Sequence, residues 1–378
     1  MTDVIVVGAG IVGTAVAREL AVRGVETLLV DRGAVASGTT GRGEGNILVS
    51  DKHPGPGLEL TLAALAVYDE LQERLGGELR IRHKGALVVH RDEATWAGEP
   101  ARIAQLGVPA HTVVEEELQR LEPALTGSVL GATLVPGDRQ CDARAVARAL
   151  AREAVDAGAE VSTGIAVEAV EVAAGRVRGV RTDGGRLRAG AVVLAAGAWT
   201  APLAASAGLA LPLEPRKGQL VRLRAPAPGY VRHKVIEASY LDTVHSAEPG
   251  LQLSPVVETT WEDDVLVGSS RERRGFDAGV DPAVSDAMVE RAALLFPGLR
   301  ALEVLDAWAG LRPWLPDGLP AIGPSGAVPG LWVAAGHEGA GVALGPVTGR
   351  LVAQLYGGEP PVADPAPFAP DRFAGEAG

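Results

Sequence analysis

Residues 3–32 of the chain read DVIVVGAGIVGTAVARELAVRGVETLLVDR, and this stretch decides the fold. Residues 3–7 are apolar and largely β-branched, which is typical of a strand buried on both faces of a sheet. Residues 11–22 are rich in alanine and are followed by Gly24, which favours a helix that stops at a glycine. Residues 25–31 are again apolar and predict a second buried strand. The stretch therefore predicts a βαβ unit.

A glycine motif lies between the first strand and the helix. Gly8, Gly10 and Gly13 form the pattern G-x-G-x-x-G, in the context in which this pattern binds a dinucleotide. Gly8 would permit the tight turn, Gly10 the approach of a pyrophosphate, and Gly13 the close packing of helix on strand. Asp31 follows eighteen residues after Gly13, where its carboxylate can accept hydrogen bonds from ribose hydroxyls. The unit alone leaves open whether the dinucleotide is NAD or FAD.

Helical and strand patterns alternate along the rest of the chain. Helices are predicted over residues 58–75, 142–157 and 282–295. Strands are predicted within residues 167–190, 191–197 and 251–270, the first of these as an exposed antiparallel excursion. Asp142 is the expected N-cap of its helix, and the proline-rich tail from residue 360 is expected to wrap the surface. Because no clean linker interrupts the pattern, we expect interleaved domains.

Bulk composition excludes several classes of protein. A chain of 378 residues, 47% of them hydrophobic, exceeds what one core usually supports, so two domains are expected. The net charge of -12 repels phosphate backbones and anionic headgroups, which argues against binding to nucleic acid or membrane surfaces. A single cysteine, Cys141, allows no internal disulfide, and no metal site is predicted. Without a secretion signal or a membrane span, we expect a cytoplasmic protein.

Three further segments accompany the N-terminal unit. They read SGTTGRGEGNI at residues 37–47, VVLAAGAWT at 192–200 and GLWVAAGHEGAGVALGPVTGRLVAQL at 330–355, the last preceded by DAWAGLRPWLPDGLPAIGP at 306–324. In this order the segments resemble the D-amino-acid oxidase superfamily of FAD-dependent oxidoreductases. The resemblance covers nearly the whole chain and is greatest to the glycine oxidase, sarcosine oxidase and D-amino-acid or hydroxyproline dehydrogenase branches. It implies that the dinucleotide is FAD.

The resemblance also implies an architecture. The fold class is α/β, with a Rossmann-like FAD-binding domain interleaved with an α+β substrate domain built on a mainly antiparallel β-sheet. The FAD-binding domain would comprise residues 1–80, 142–214 and 305–378, and the substrate domain residues 81–141 and 215–304. Such proteins also occur as homo-oligomers or with a partner electron-transfer chain, so either assembly is expected.

Residues from four parts of the chain would line the FAD site, if the resemblance is carried over position by position. From the N-terminal unit and the segment after it, they are Gly8, Gly10, Ile11, Val12, Gly13, Asp31, Arg32, Thr39, Thr40, Arg42, Gly43, Gly45 and Asn46. From the middle and the C-terminal parts, they are Val167, Ala195, Ala196, Gly197, Trp199, Gly310, Gly336, His337, Glu338, Gly339, Ala340 and Gly341. A helix N-terminus near Gly341 would place positive potential where a reduced flavin carries negative charge. No cysteine lies within residues 318–337, so we expect FAD to be held noncovalently.

Arg312, in the stretch WAGLRP at residues 308–313, is implied by the resemblance to bind the substrate carboxylate beside the flavin. Its guanidinium offers a planar bidentate fork that lysine cannot supply; the competing interpretation is an ordinary salt bridge. Tyr240 and His337 are the other candidate catalytic residues, and Asn46, Tyr240 and Glu338 join Arg312 as candidates for substrate binding. Related chains can carry a basic residue in the C-terminal glycine run, whereas this one carries Glu338.

The implied reaction is oxidation of the C–N bond of a small amino or imino acid, such as glycine or an N-methyl, D- or cyclic amino acid. Hydride would pass to flavin N5, and the imine product would hydrolyse to a keto acid unless it is cyclic. One alternative is a flavoprotein dehydrogenase subunit of a heteromeric electron-transfer complex. Another is an FAD monooxygenase, although its D-G-x-x-S-x-x-R motif is not matched by TDGGRLR at residues 182–188. A protein that binds the nucleotide without turnover is a third.

Overall fold

The structure is a computed structural model that describes residues 2–374, apart from the side chain of His245. The strands are β1 (Thr2–Val7), β2 (Thr27–Asp31), β3 (Asn46–Ile47), β4 (Arg82–His83), β5 (Ala86–His90), β6 (His111–Val113), β7 (Gly131–Val135), β8 (Arg139–Gln140), β9 (Glu160–Thr163), β10 (Val167–Ala173), β11 (Arg176–Thr182), β12 (Gly185–Leu194), β13 (Glu214–Leu223), β14 (Lys234–Glu237), β15 (Gln252–Thr259), β16 (Val265–Arg271), β17 (Val304–Trp314), β18 (Ala321–Pro324) and β19 (Leu331–Ala335). The helices are α1 (Ile11–Ala21), α2 (Pro56–Leu75), α3 (Glu93–Ile103), α4 (Glu115–Leu121), α5 (Ala143–Asp156), α6 (Thr200–Ser206), α7 (Ser239–His245), α8 (Pro282–Ala292) and α9 (Gly341–Gly357).

Sheet A contains the N-terminal unit. Strands β9, β2, β1, β12 and β19 lie side by side and parallel, while β18 is antiparallel to β19. The hairpin of β10 and β11 extends from the first half of β12. Val4, Ile5 and Val6 are fully buried, as a central parallel strand requires. The predicted βαβ unit is confirmed.

Helices α1 and α9 pack against each other on sheet A because two glycines of α9 leave room. A Cβ at Gly349 would lie 2.5 Å from the carbonyl carbon of Ala15, and one at Gly345 would lie 3.2 Å from side-chain atoms of Ile11. The contacts advance by four residues on both helices, so the helices run in the same direction. The N-termini of α1 and α9 therefore lie at the same end of the sheet.

Sheet B has the strand order β17, β13, β16, β15, β14, β5, β7 and β6. Neighbouring strands are antiparallel except β14 and β5, so this sheet is mainly antiparallel as predicted. Its longest pairing joins β13 and β17, from Glu214 opposite Trp314 to Leu223 opposite Val304. A parallel sheet with helices and an antiparallel sheet thus alternate along the chain, which confirms the predicted fold class.

The strand β17 lies in sheet B, whereas the predicted boundary at residue 305 assigns it to the FAD-binding domain. After β17 the chain returns to sheet A with β18. A three-stranded sheet of β3, β8 and β4 joins segments from both predicted domains. We therefore keep the two-domain division as a proposal and place its last crossing after Trp314.

Two predicted segments differ in detail from the structure. The strand predicted over 191–197 ends at Leu194, because the chain turns through Gly197 with φ of 55°. The excursion predicted over 167–190 is antiparallel, but it is not exposed on both faces. Val170, Val177 and Val180 are buried with α6 residues in one core cluster.

The helices predicted over residues 58–75, 142–157 and 282–295 are present as α2, α5 and α8, whereas α3, α4, α6 and α7 were not predicted. Helix α5 begins after Asp142, whose side chain accepts hydrogen bonds from the backbone N–H groups of Arg144 and Ala145. The described part of the tail packs on the surface through the buried ring of Phe368 and an ion pair between Arg372 and Asp317. Within residues 2–374, no helix has both the length and the apolar character needed to cross a bilayer.

Candidate functional site

The glycine loop after β1 brings backbone atoms into close contact. Gly8 has φ of 109°, and a Cβ there would overlap the carbonyl oxygen of Ala195. A Cβ at Gly13 would overlap the carbonyl oxygen of Gly8, so helix α1 can lie directly against the loop. The N-terminus of α1 has no side-chain cap at Gly10 and no acidic residue in its first turn. The N–H of Ile11 donates to Thr40 Oγ1, and the N–H groups that follow in the first turn are available to an anion.

Asp31 lies at the end of β2 next to this loop. Its Oδ2 accepts a hydrogen bond from the backbone N–H of Ala9 at 2.6 Å, and its Oδ1 accepts one from Gly33 at 2.7 Å. The carboxylate thereby fixes the glycine loop to the second strand. Each carboxylate oxygen has more than one lone pair, so Asp31 can still accept hydrogen bonds from a ribose.

The segment from Thr39 to Asn46 connects the glycine loop to sheet B. Thr40 Oγ1 accepts a hydrogen bond from the backbone N–H of Ile11 at 3.0 Å, which places the hydroxyl at the N-terminus of α1. Thr39 Oγ1 donates to the carbonyl of Leu311 at 2.8 Å, and Arg42 Nη1 donates to that of Ala309 at 2.9 Å. These bonds hold strand β17, which carries Arg312, against the predicted cofactor loop.

The other predicted cofactor residues lie in several different elements. Gly310 approaches Arg42, since a Cβ there would lie 3.4 Å from Arg42 Cβ. Gly45 has φ of 84°, and Ala195 and Ala196 lie directly beyond β12. Val12 lies in the first turn of α1. The predicted cofactor residues that lie in loops, in turns or at strand ends are Arg32, Gly43, Val167, Gly197, Trp199, Gly336, Gly339 and Ala340. Of these, Arg32 lies over the ring of Trp199 at 4.0 Å, and Val167 begins β10 at the edge of sheet A.

His337 is buried against helix α9. Its Nε2 lies 2.9 Å from Thr348 Oγ1, and its side chain has only 5% of its surface exposed. Burial lowers the pKa of His337 to about 4, so the ring is neutral near pH 7. This position favours a structural role in fixing the loop before Gly341, and it gives no support to the predicted catalytic role.

Arg312 extends from β17 across the neighbouring strand β13. A Cβ at Gly218 would lie 2.5 Å from Cζ of Arg312, so only glycine leaves room for the guanidinium there. Nη1 donates to the carbonyl of Ser270 at 3.0 Å, and within the described residues this is the hydrogen bond that holds the group. The side chain is 15% exposed, which leaves part of the fork free for a ligand.

Glu338 lies among three guanidinium groups, which we call the arginine cluster: Arg216, Arg271 and Arg312. Glu338 Oε1 lies 3.5 Å from Arg271 Nε, 3.7 Å from Arg216 Nη1 and 3.8 Å from Arg312 Nε. Oε1 has no hydrogen-bond partner within the described residues, whereas Oε2 accepts a hydrogen bond from the backbone N–H of Gly339. Burial alone would raise the pKa of Glu338, but the three positive charges outweigh it and lower that pKa. Glu338 is therefore an ionised carboxylate.

The rear of the arginine cluster is fully enclosed. Arg216 donates to the carbonyls of Thr243, Val244 and Ser246 at 3.1, 3.0 and 3.0 Å, and so holds the C-terminal end of α7. Burial lowers the pKa of Arg216 to about 10, which still leaves it charged near pH 7. Helix α7 is thereby fixed beside the cluster.

Tyr240 of α7 completes this wall of the site. Arg271 lies over the Tyr240 ring, with Cζ 4.5 Å from the ring centre, and Arg271 Nη1 donates to Ser269 Oγ at 3.0 Å. Burial would lower the pKa of Arg271, but Tyr240 and Glu338 raise it overall. The structure thus brings Arg312, Glu338 and Tyr240 together around Arg271.

Asn46 belongs to a second polar group, next to the first. Its Nδ2 donates to Glu44 Oε2 and to Glu258 Oε1, both at 2.8 Å. Lys234 pairs with both glutamates, and Lys84 pairs with Glu258. Both amide hydrogens of Asn46 are therefore used within the protein, and a substrate contact would require its oxygen.

Several of these residues were not predicted from the sequence: Arg216, Gly218, Arg271, Lys234 and Glu258. They come together through the pairing of β13 with β17 and β16 and of β15 with β14 and β16. One signal was present, because Arg271 begins the run RERR at residues 271–274 directly after an apolar strand. Because an arginine is almost never fully buried unless it is paired, an arginine at the end of a buried strand indicates a charged partner nearby.

The arrangement fits FAD, as tested by the two helix N-termini. Helix α9 begins at Gly341 with no side-chain cap and no acidic residue in its first turn, as does α1. The two N-termini lie at the same end of sheet A and, besides the Ile11 N–H that donates to Thr40 Oγ1, offer N–H donors and positive potential. A pyrophosphate at α1 and the electron-rich edge of a flavin at α9 both suit these groups.

Comparisons with known proteins show the family of this chain. The family model for FAD dependent oxidoreductases matches residues 3–355. The curated glycine oxidase of Geobacillus kaustophilus (strain HTA426) is 33% identical over 394 residues, covering 100% of this chain and 98% of that protein.

Solved structures give the same result. The crystal structure of glycine oxidase from Geobacillus kaustophilus matches with a TM-score of 0.86 and 31% identity, covering 97% of both chains. That of L-proline dehydrogenase from P. horikoshii matches with a TM-score of 0.89 and 25% identity, covering 99% of this chain and 98% of that one. The chain therefore belongs to the D-amino-acid oxidase superfamily of FAD-dependent oxidoreductases, as an enzyme that oxidises amines or amino acids with FAD as its cofactor.

Proposed function

We propose that this enzyme oxidises the C–N bond of a small amino or imino acid, with glycine as the first substrate to test and N-methyl, D- and cyclic amino acids next. The observation that carries the proposal is the position of Arg312. Its strand is fixed to the predicted cofactor loop by Thr39 and Arg42, while part of its guanidinium remains unpaired. A carboxylate is the ligand that this fork binds best. The similarity to glycine oxidases supports the same substrate class.

The residues of the chain would position the substrate and hold its charge. Arg312 would hold the carboxylate. The buried residues Arg216 and Arg271 behind it would keep its guanidinium in place. Tyr240, Glu338 and Asn46 would border the space beside that carboxylate. Bound noncovalently, FAD would supply the acceptor for the hydride that leaves the substrate carbon. The substrate would become an imine, and water would convert an acyclic imine to a keto acid and an amine or ammonia.

The test is anaerobic mixing of the yellow holoenzyme with glycine, sarcosine, D-alanine, D-proline and L-proline, followed by flavin absorbance. We expect at least one of these to bleach the flavin, and admitting air then shows whether oxygen restores the colour. A fully loaded enzyme that no member of the panel bleaches would contradict the proposal.

Arg312→Lys tests the proposed anchor with the same substrates. We expect its KM to rise by about tenfold or more, because a point charge replaces a bidentate fork. Arg300→Lys is the matched control, since Arg300 forms an exposed ion pair with Glu290 and should leave KM unchanged. An unchanged KM in Arg312→Lys would remove the carboxylate anchor from the proposal.

A further inference from the structure

An aromatic contact joins the two large sheets at the end of sheet A that carries the glycine loop. Trp199 lies in the turn after β12, and its ring centre is 5.4 Å from that of Phe276, with an angle of 31° between the rings. This separation lies within the range of favourable aromatic pairs. Phe276 belongs to residues 272–281, which connect β16 to α8 and which we call the clasp loop. The clasp loop thus connects sheet B to the turn after β12.

Arg32 also packs on Trp199. Its guanidinium carbon lies 4.0 Å from the centre of the Trp199 ring, which is a cation–π distance. Arg32 directly follows β2, whereas Trp199 follows β12, and strand β1 lies between β2 and β12 in sheet A. The contact between Arg32 and Trp199 therefore crosses the end of β1, where the glycine loop begins. We call Arg32, Trp199 and Phe276 the clasp.

Two buried residues of β13 hold the clasp loop at its ends. The backbones of Lys217 and Glu272 exchange hydrogen bonds of 2.9 and 3.1 Å. At the other end, Gln219 Oε1 accepts a hydrogen bond from the backbone N–H of Asp281 at 2.7 Å. Lys217 Nζ also pairs with Asp277 at 3.0 Å. The loop is therefore fixed to sheet B at both ends, while its middle reaches the turn after β12.

The clasp lies beside the predicted adenosine end of the FAD site. Asp31, the expected partner of the ribose, immediately precedes Arg32. Arg32 is exposed and Phe276 is 49% exposed, whereas the flavin end adjoins the fully enclosed Arg271. The adenosine end is thus the part of the site nearest the surface. Each clasp contact joins two groups of the protein itself, so closing the clasp requires no FAD.

We propose that the clasp is a gate for the cofactor: FAD enters and leaves its site only when Phe276 separates from Trp199. The inference concerns FAD and does not rest on the proposed substrate. A gate that closes on the empty and on the loaded protein slows entry and exit by the same factor, and so leaves the affinity for FAD unchanged. A side chain that bound FAD directly would slow exit alone.

Phe276→Ala should open the gate. Loss of an aromatic pair corresponds to about a threefold to tenfold change, so the rate constants of FAD association and dissociation should each rise by about that factor. Their ratio, the dissociation constant, should stay nearly the same. Phe276→Trp keeps an aromatic ring on Trp199 and should behave as the wild type. Leu294→Ala is the matched control, because Leu294 is another exposed apolar side chain, two residues after α8, and should change neither rate.

The experiment follows the fluorescence anisotropy of the flavin. Dissociation is measured after dilution of the holoenzyme to well below its dissociation constant, and association after mixing FAD with apoprotein prepared from that holoenzyme. Urea unfolding of each apoprotein reports separately whether the chain itself is intact. Asp277→Asn is a second variant, because it loosens the clasp loop at Lys217 while Glu272 still pairs with that lysine. It should raise both rates by about twofold.

A parallel rise of both rates in Phe276→Ala, with wild-type rates in Phe276→Trp and Leu294→Ala, would support the gate. Faster dissociation with unchanged association would instead make Phe276 a direct FAD contact and overturn it, as would unchanged rates in a folded variant. If Phe276→Ala does not fold, Asp277→Asn decides by the same comparison. None of these measurements involves an amine, so each outcome leaves the proposed function to its own test.

Discussion

Gly218 of β13 lies directly beneath the guanidinium of Arg312, and Arg312 belongs to the neighbouring strand β17. A Cβ at Gly218 would lie 2.5 Å from Cζ of Arg312 and would overlap Nη1. Glycine at this position therefore leaves the space that the guanidinium of Arg312, the proposed substrate-binding group, occupies above sheet B. The relationship depends on strand register, since Gly218 pairs with Gly310, two residues before Arg312.

Gly218→Ala should displace Arg312 without disturbing the cofactor. We expect KM for the best amine to rise by about tenfold to a hundredfold, because the fork can no longer reach its place, while FAD content stays normal. Steady-state kinetics and the flavin spectrum measure the two effects. Gly98→Ala is the control, since a Cβ there meets nothing within 4 Å. Equal KM values in both variants would show that Arg312 does not depend on Gly218.

Thr40→Val should weaken FAD binding while leaving KM nearly unchanged. Thr40 Oγ1 accepts the hydrogen bond from Ile11 N–H at the start of α1, and valine has the same shape without the oxygen. Loss of one such bond costs about 1 kcal/mol, or roughly a fivefold to tenfold higher dissociation constant. Flavin fluorescence during reconstitution of the apoprotein measures it. The exposed strand residue Thr112 provides the control Thr112→Val; a similar loss there would argue against a specific role for Thr40.

His337→Gln should change how stability depends on pH. The pKa of His337 is lowered to about 4 in the folded protein from about 6.5 in the unfolded chain. Its contribution is therefore fully present above pH 6.5 and is lost as pH falls toward 4. Across that window the lost stability amounts to about 3 kcal/mol. Glutamine can still hydrogen-bond Thr348 but does not titrate, so this part of the acid sensitivity should disappear.

Urea unfolding of holoenzyme at pH 7 and pH 5 measures the effect of His337→Gln. If the variant and the wild type lose equal stability between these values, the buried ring is not the titrating group. The same variant also tests the catalytic role predicted for His337. A structural role leaves kcat at pH 7 within about threefold, whereas loss of general acid–base catalysis costs about a hundredfold or more.

Local sequence was enough to predict the turns and helix ends around the proposed cofactor site. The glycine loop, Asp31 and the start of α9 each lie within one run whose own pattern indicates a turn or a helix end. Arg312 was assigned from the resemblance, through the stretch WAGLRP at residues 308–313. The turns and helix ends depend on backbone geometry that immediate neighbours in the chain determine.

The arginine cluster could not be predicted, because its geometry depends on the register of separate strands. Arg216 lies opposite Arg312 only through the pairing of β13 with β17, and Arg271 comes from a third strand. Glu338 was assigned to the site from its loop, but the three charges around it were not. His337 was assigned to the site from its loop as well, but its hydrogen-bond partner, Thr348, could not be predicted because it depends on the position of α9.

Glu258→Gln should be strongly destabilising, and the added change Lys84→Met should recover part of the loss. Glu258 is 1% exposed and pairs with Lys84 and Lys234. Burial alone would raise the pKa of Glu258, but the two lysines lower it. Its removal leaves Lys84 buried without a counter-ion, at a cost of about 3–5 kcal/mol, whereas Lys234 keeps Glu44. Urea unfolding of the FAD-loaded single and double variants measures this coupling. The surface variant Glu303→Gln, which breaks an exposed pair, should show no measurable loss, and a double variant less stable than Glu258→Gln would contradict the expected pairing.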